Sequence, residues 1–510
     1  MCPIGWFLSW ECCFPRSDCG PMTFLRRLTT SSALLAALTG TVLTSAPLSF
    51  GAGSPAGSGA ATVRPAMPYD FNGDGYRDLA AGGPSGAVGA VKGAGYTAVV
   101  YGSASGPDTA RRQILTQDSP GVPGAPETGD WFGWALTSAD SDNDGYADLA
   151  VGAPYEKLDV VDAGLVAVIF GSASGLSGQA VGLNVPSGQQ AENDQFGEYL
   201  AAGDFNRDGR TELVVGSQGK RSYFTYSFTA QRTAVAGPTV KVPQDRFMDI
   251  ATGDVDGDGY TDLATVTNDY AETSSNDVRV FRGGSGGLAS SPVSTVDSGA
   301  WSGQALLASG DVNGDGRSDV ILGDLYEKVN GISAAGQVVA YYGGTDGISA
   351  SRTTTITQAT PGVAGAPEEL DLFGSSVATG DINNDGIADV AVGVSGESID
   401  GADGAGMATV LYGAPTGLSG TGSQSFSQKE TVGTPEKNDY MGRSVTLLDF
   451  DNNGQDDLGV GVHGENAFDG GVQALKATGG KITGAGAIGF IGSDIGANPT
   501  GALLGLVLGH

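Results

Sequence analysis

Nine-residue stretches of alternating carboxylates recur along the chain, and residues 254–262, DVDGDGYTD, are representative. Side-chain oxygens at positions 1, 3, 5 and 9, with the carbonyl at position 7, form an all-oxygen set. Such a set suits a hard cation that takes six to eight oxygens at about 2.3–2.6 Å. Glycine at position 6 allows a turn that a side chain would obstruct. The candidate ligands are Asp70, Asn72, Asp74 and Asp78 in the first loop (70–78), and Asp140, Asp142, Asp144 and Asp148 in the second (140–148). Asp204, Asn206, Asp208 and Glu212 form the third (204–212), and Asp254, Asp256, Asp258 and Asp262 the fourth (254–262). Asp311, Asn313, Asp315 and Asp319 follow (311–319), then Asp381, Asn383, Asp385 and Asp389 (381–389), then Asp449, Asp451, Asn453 and Asp457 (449–457).

Calcium is the cation these loops predict, and other chemistries share the pattern less well. An EF-hand needs a bidentate Glu at position 12 and flanking helices. Position 12 here is Ala81, Val151, Val215, Thr265, Leu322, Val392 or Val460, and an apolar strand follows each loop. The same strands argue against dockerin-type helical pairs. Glycosidase-type catalysis needs two acids in different environments, which near-identical loops do not supply. A structural metal clip is therefore the reading, with up to seven sites. Glu212 offers a longer arm, and Asn453 lowers the charge of the last loop, where Asp456 is a candidate substitute. The third and seventh loops are predicted to bind most weakly.

The elements that carry the loops repeat with them, at intervals of 70, 64, 50, 57, 70 and 68 residues. Self-similarity at such a period marks a solenoid, propeller or array. In residues 371–413 a short FG-x-x-V strand enters the acidic loop. A DVAVGV strand, a polar loop and an ATVLYG strand follow, then a turn and a fourth polar strand. Residues 130–171 repeat the order. Units of this size without cysteines bury too little apolar surface to fold singly. The expected fold is all-β: one seven-bladed β-propeller of four-stranded antiparallel blades over residues 69–508. The first unit begins almost at its loop, with PAMPY before it, and an apolar strand at 500–508 is expected to supply its missing strand and close the ring.

These units resemble FG-GAP repeats, which form the amino-terminal propeller of integrin α subunits and occur in many secreted bacterial proteins. The FG stands at Phe132-Gly133, Phe196-Gly197 and Phe373-Gly374, and the GAP at Gly152-Ala153-Pro154, altered to Gly82-Gly83-Pro84. The fourth and fifth units depart from the pattern, with Phe247-Met248 and Ser302-Gly303. The resemblance also reaches phospholipases that carry such a propeller beside a separate catalytic domain, for which the chain is expected to have no room.

The remaining residues bound the function. From Met22, MTFLRRLTTSSALLAALTGTVLTSA reads as a secretory signal peptide (22–52), with cleavage expected between Ala46 and Ala56 and a linker at 53–68. Residues 1–21 read as an upstream extension. They hold all four cysteines, so the mature chain is expected to lack disulfides. Net charge is −31, and residues 1–50 contribute +1 (Arg16, Arg26, Arg27 against Glu11 and Asp18), leaving −32. Such a surface disfavours nucleic acid and anionic membranes, and no later segment is apolar enough to span a bilayer. The two histidines, His463 and His510, assemble no catalytic set, and His463 reads as a polar rim residue. The predicted role is a secreted or wall-associated, monomeric binding or adhesion module for an extracellular protein or glycan. A secreted hydrolase acting on polysaccharide or phosphoester is the alternative. Ligand contacts are expected on the face opposite the metal clips, with Trp131, Trp134, Tyr155, Trp301 and Tyr326 as aromatic anchors.

Overall fold

The second strands carry apolar residues on both faces after their opening acid, without the alternation of a half-solvated strand. Asp148–Ala153, Asp319–Asp324 and Asp389–Val394 are buried at every residue. A strand read this way must be covered on both faces, and a blade between two neighbouring blades meets that demand. Outer strands such as Thr353–Ile356 alternate, because one edge of each blade meets water. A computed structural model describes residues 65–242, 245–269, 276–299 and 305–510. The signal segment, the four cysteines, most of the linker and Trp301 lie outside the described residues.

The described chain forms seven four-stranded antiparallel sheets, the blades of a seven-bladed propeller. Blade two is typical, with Ala135–Ala139, Asp148–Ala153, Leu165–Ile169 and Ala180–Leu183 paired in sequence order. The acidic loop joins its first and second strands, so the connections between strands two and three, and from blade to blade, emerge at the opposite end. Apolar side chains gather in clusters that straddle neighbouring blades; Val410, Met441, Val445 and Val460 share one between blades six and seven. The core is thus a ring of layers between blades.

The chain end closes the ring, with a shorter strand than the sequence predicts. Val507–Leu508 pairs with Leu79–Gly83, Ala81 opposite Leu508 and Gly82 opposite Val507. Residues 500–506 run as a loop instead, because Gly501, Leu503 and Gly505 adopt φ of 59°, 57° and 81°, which no strand accommodates. Leu504-Gly505 occupies the place of FG in blade one: Leu504 bridges Gly470 as Phe373 bridges Gly336 and Met441 bridges Gly406.

Close backbone approach explains why FG and GAP keep their glycines. A Cβ on Gly82, Gly152, Gly323, Gly393 or Gly461 would overlap the carbonyl oxygen of Gly133, Gly197, Gly374, Gly442 or Gly505 in the next blade. The two motifs are two halves of one contact between blades. At the third seam Met248 replaces the FG glycine, and Gly216 meets the Tyr199 side chain instead. In blade four the GAP glycine is Val266.

Candidate metal centres and the opposite face

Each acidic loop is a cradle of side-chain to backbone hydrogen bonds. In the first, Asp70 Oδ1 accepts from the Asp74 amide at 3.1 Å and Oδ2 from Gly75 at 3.0 Å. All seven loops repeat both bonds. The position-6 glycines have φ of 82–92°, the left-handed region that favours glycine. Position 4 is left-handed as well: Gly73, Asn143, Gly257, Gly314, Asn384 and Asn452 suit it, whereas Arg207 in the third loop is strained at 56°. The run of Gly and Asn at position 4 was visible in the sequence and is a signal the ligand spacing alone passes over.

The ninth residue is buried and fastens the loop to its blade. Asp78 accepts from the Phe71 amide at 3.0 Å and from Gly102, beyond the third strand, at 2.9 Å. The same pair of bonds holds Asp148, Asp262, Asp319, Asp389 and Asp457. Glu212 keeps the first bond but spends its second oxygen on the Asn206 amide at 2.7 Å. Burial pushes these carboxyls up against the pull of their amide donors, to about 8 in Asp78 and Asp148 and about 7 in Glu212, Asp262, Asp319, Asp389 and Asp457. A bound dication would favour the charged form again.

The residues fit a hard cation. Carboxylate oxygens from positions 1, 3 and 9 of loops two, four and seven, and from 1, 5 and 9 of loop three, lie within 4.8 Å of one another. Loops one, five and six carry Asn at position 3, so there one oxygen of the set is an amide. The buried Oδ1 atoms of Asp142 and Asp451 have no hydrogen-bond partner. Basic side chains border several loops: Arg232 of blade three contacts Asp142 at 2.7 Å and Asp144 at 2.9 Å, Lys476 contacts Asp451 at 3.1 Å, and Arg282 pairs with Asp256. Asp456 does not serve the seventh loop. Its Oδ2 accepts from the Asp381 amide at 2.8 Å, tying blade seven to blade six.

Most neighbouring loops are linked directly. The position-8 amide of one donates to the position-1 carbonyl of the previous loop at Ala147–Asp70, Thr261–Asp204, Ser318–Asp254, Ala388–Asp311, Asp456–Asp381 and Arg77–Asp449. The loops therefore stiffen the ring collectively as well as their own hairpins.

On the opposite face the structure brings three of the predicted aromatics together. The Trp131 ring lies 5.1 Å from Trp134 and 5.2 Å from Tyr155, all three part-exposed. Tyr326 stands on blade five, 41% exposed. His463 is part-exposed. It stacks on Tyr440 at 5.4 Å with its Nδ1 buried, and burial pushes its pKa down to about 3. Side chains two residues past the FG phenylalanine position, which sequence reading passed over, place ionisable groups on the first strands of their blades: Glu198, Asp249 and Arg443. Their spacing from the FG motif was the available signal.

Residues 132–169 and 373–411 match the FG-GAP repeat family, and residues 204–265 and 254–322 an FG-GAP-like repeat. Phosphatidylinositol-glycan-specific phospholipase D of Mus musculus is 34% identical over 149 residues, 26% of this chain and 18% of that protein. Integrin alpha pat-2 of Caenorhabditis briggsae is 28% identical over 231 residues, 40% of this chain and 18% of that protein. The matched segments thus span under a fifth of these relatives. A crystal structure of a protein from Lactobacillus plantarum aligns with TM-score 0.40 at 13% identity, over 80% of this chain and 94% of that one. With family matches in blades two to six, seven blades and the FG–GAP contact between them, the chain is a seven-bladed propeller built on FG-GAP repeats and is similar to integrin alpha over the matched segment.

Proposed function

We propose that this protein is a secreted, calcium-stabilised propeller acting as a binding or adhesion module for an extracellular protein or glycan. The observation that carries the reading is the division of the molecule. One end is a ring of seven near-identical oxygen-rich loops, and the other bears varied loops and the Trp131–Trp134–Tyr155 patch. Calcium, when bound, supplies the positive charge that the clustered carboxylates lack. The chain's own residues do the rest: position 9 holds the third strand, positions 1, 3 and 5 fix the turn, and the linked loops keep the opposite face in shape. Aromatic rings that are part-exposed and mutually packed are suited to flat apolar or sugar surfaces. No helix of the described residues is long and apolar enough to cross a membrane.

The test uses the mature protein in calcium on glycan arrays and on extracellular-protein panels, beside polysaccharide and phosphoester hydrolysis assays. Ligand binding that is lost in Trp131→Ala with unchanged melting temperature is the expected result. Turnover of any polymer without stable binding overturns the reading in favour of the hydrolase.

A further inference from the structure

A second polar constellation recurs at the end opposite the acidic loops, at three seams between blades. At the seam of blades one and two, Gln117 follows the last strand of blade one and its Nε2 donates to the Glu156 carboxylate of blade two. Gln358 meets Glu397 in the same way at 2.7 Å, and Gln428 meets Glu465 at 2.7 Å. An aspartate two residues before the FG position completes each set: Asp130, Asp371 and Asp439. Each is capped by a backbone amide three residues earlier, from Glu127, Glu368 (2.6 Å) and Glu436 (2.7 Å). The glutamines are 4%, 3% and 3% exposed, and the Oε1 atom of every one is buried without a hydrogen-bond partner. Each amide head is turned onto the glutamate, which leaves its carbonyl oxygen buried without a donor, and the glutamate and aspartate of each seam are near enough to repel one another. Burial, with Asp130 and Glu127 nearby, pushes Glu156 up to about 7, and Glu397 rises likewise beside Asp371.

The seam between blades two and three shows what answers this shortage. Its aspartate, Asp194, is present and capped from Ala191 at 2.7 Å. The residue eight beyond the ninth loop position, Glu156 in blade two, is Lys220 in blade three, and the position of Gln117 is Val185. Lys220 Nζ lies 3.1 Å from Asp194. Where glutamine and glutamate are both missing, a protein ammonium sits on the aspartate. Where both are present, no described Lys or Arg pairs with Glu156, Glu397 or Glu465.

We propose that the three Gln–Glu–Asp seams bind a hard cation such as calcium through Gln117 Oε1, Glu156 and Asp130, and through the matching residues of the other two seams. These sites are separate from the acidic loops, at the far end of the strands, and would clamp the ligand-facing loops of adjacent blades. Oxygen donors from an amide and two carboxylates are the set such an ion takes, with water completing its shell.

Terbium is the probe, with tryptophan excited selectively in the full mature chain. Trp131 adjoins Asp130 in sequence and packs 5.2 Å from Tyr155, the neighbour of Glu156. Tryptophan-sensitised emission is expected, and Glu156→Gln should reduce it at least fivefold. Gln117→Val with Glu156→Lys rebuilds the blade two–three arrangement, so it should fold normally and also lose the signal. An Asp140→Asn, Asp142→Asn variant of the acidic loop should keep it, which separates this proposal from the loop sites. Absence of sensitised emission in the wild type, or full emission in the folded Gln117→Val, Glu156→Lys protein, overturns it.

Discussion

Arg232 should set the calcium affinity of the second loop. By ligand count this loop, with four aspartates, belongs with the tightest. Yet the guanidinium of Arg232 reaches over from the outer hairpin of blade three, 2.7 Å from Asp142 and 2.9 Å from Asp144, lying 4.7 Å from the Phe170 ring centroid. Its Nε and Nη2 satisfy carboxylates that a metal needs. Two charge-assisted hydrogen bonds contribute about 1.5–3 kcal/mol each when buried. The Arg232 and Asp144 side chains are 24% and 34% exposed, so solvent screening brings the pair down to about 2 kcal/mol in total. A dication must displace that contact, and about 2 kcal/mol corresponds to roughly 30-fold in Kd. Arg232→Gln is therefore expected to lower the calcium midpoint of loop two by roughly 30-fold and leave the other loops alone. Amide hydrogen exchange of peptides covering 140–148, followed against free calcium, reads that midpoint with the remaining loops as internal references. A midpoint that stays put, or moves to higher calcium, refutes the competition.

Calcium removal should lower the melting temperature of the whole ring. At 1 mM free ion and a Kd of about 10⁻⁴ M each loop contributes about 1.4 kcal/mol, roughly 10 kcal/mol for seven independent loops, and an unchanged melting curve in excess EDTA would sink the clip reading. Gly393→Ala should cost about 2 kcal/mol or more in urea unfolding, because its Cβ overlaps the Gly442 carbonyl of the next blade; a neutral result would show that this seam relaxes freely. Glu198, raised to about 7 by burial despite the Tyr199 hydroxyl and the charge of Arg246, favours its protonated form in the fold. Its stabilisation is present below about 4.5, the unfolded value, and fades as pH rises through 7, so Glu198→Gln should flatten that part of the stability profile of the calcium-loaded protein, and parallel profiles for variant and wild type would refute the assignment.

Much of the architecture was legible because it is periodic. Seven acidic loops, each followed by a strand apolar on both faces, demand blades covered on both sides, and the unpaired first unit demands a strand from the chain end. Ligand positions are equally local: an Asp at position 1 bonds amides four and five residues on, so spacing alone dictates the cradle. What needed the tertiary structure were the contacts between units. The sequence placed Asp456 in its own loop, whereas backbone pairing at the seam turns it onto Asp381. His463 reads as polar rim, and the Tyr440 ring stacked on it is a contact that only the fold supplies. Arg232, 90 residues from Asp142 along the chain, reaches it only because blades are neighbours in the ring. The glutamines that meet Glu156, Glu397 and Glu465 carry no motif, since their meaning lies in a carboxylate 37–39 residues away in the next blade. Repetition along the chain determined the blades and their loops. Packing around the ring decided which charges meet, because each seam joins side chains that no local spacing brings together.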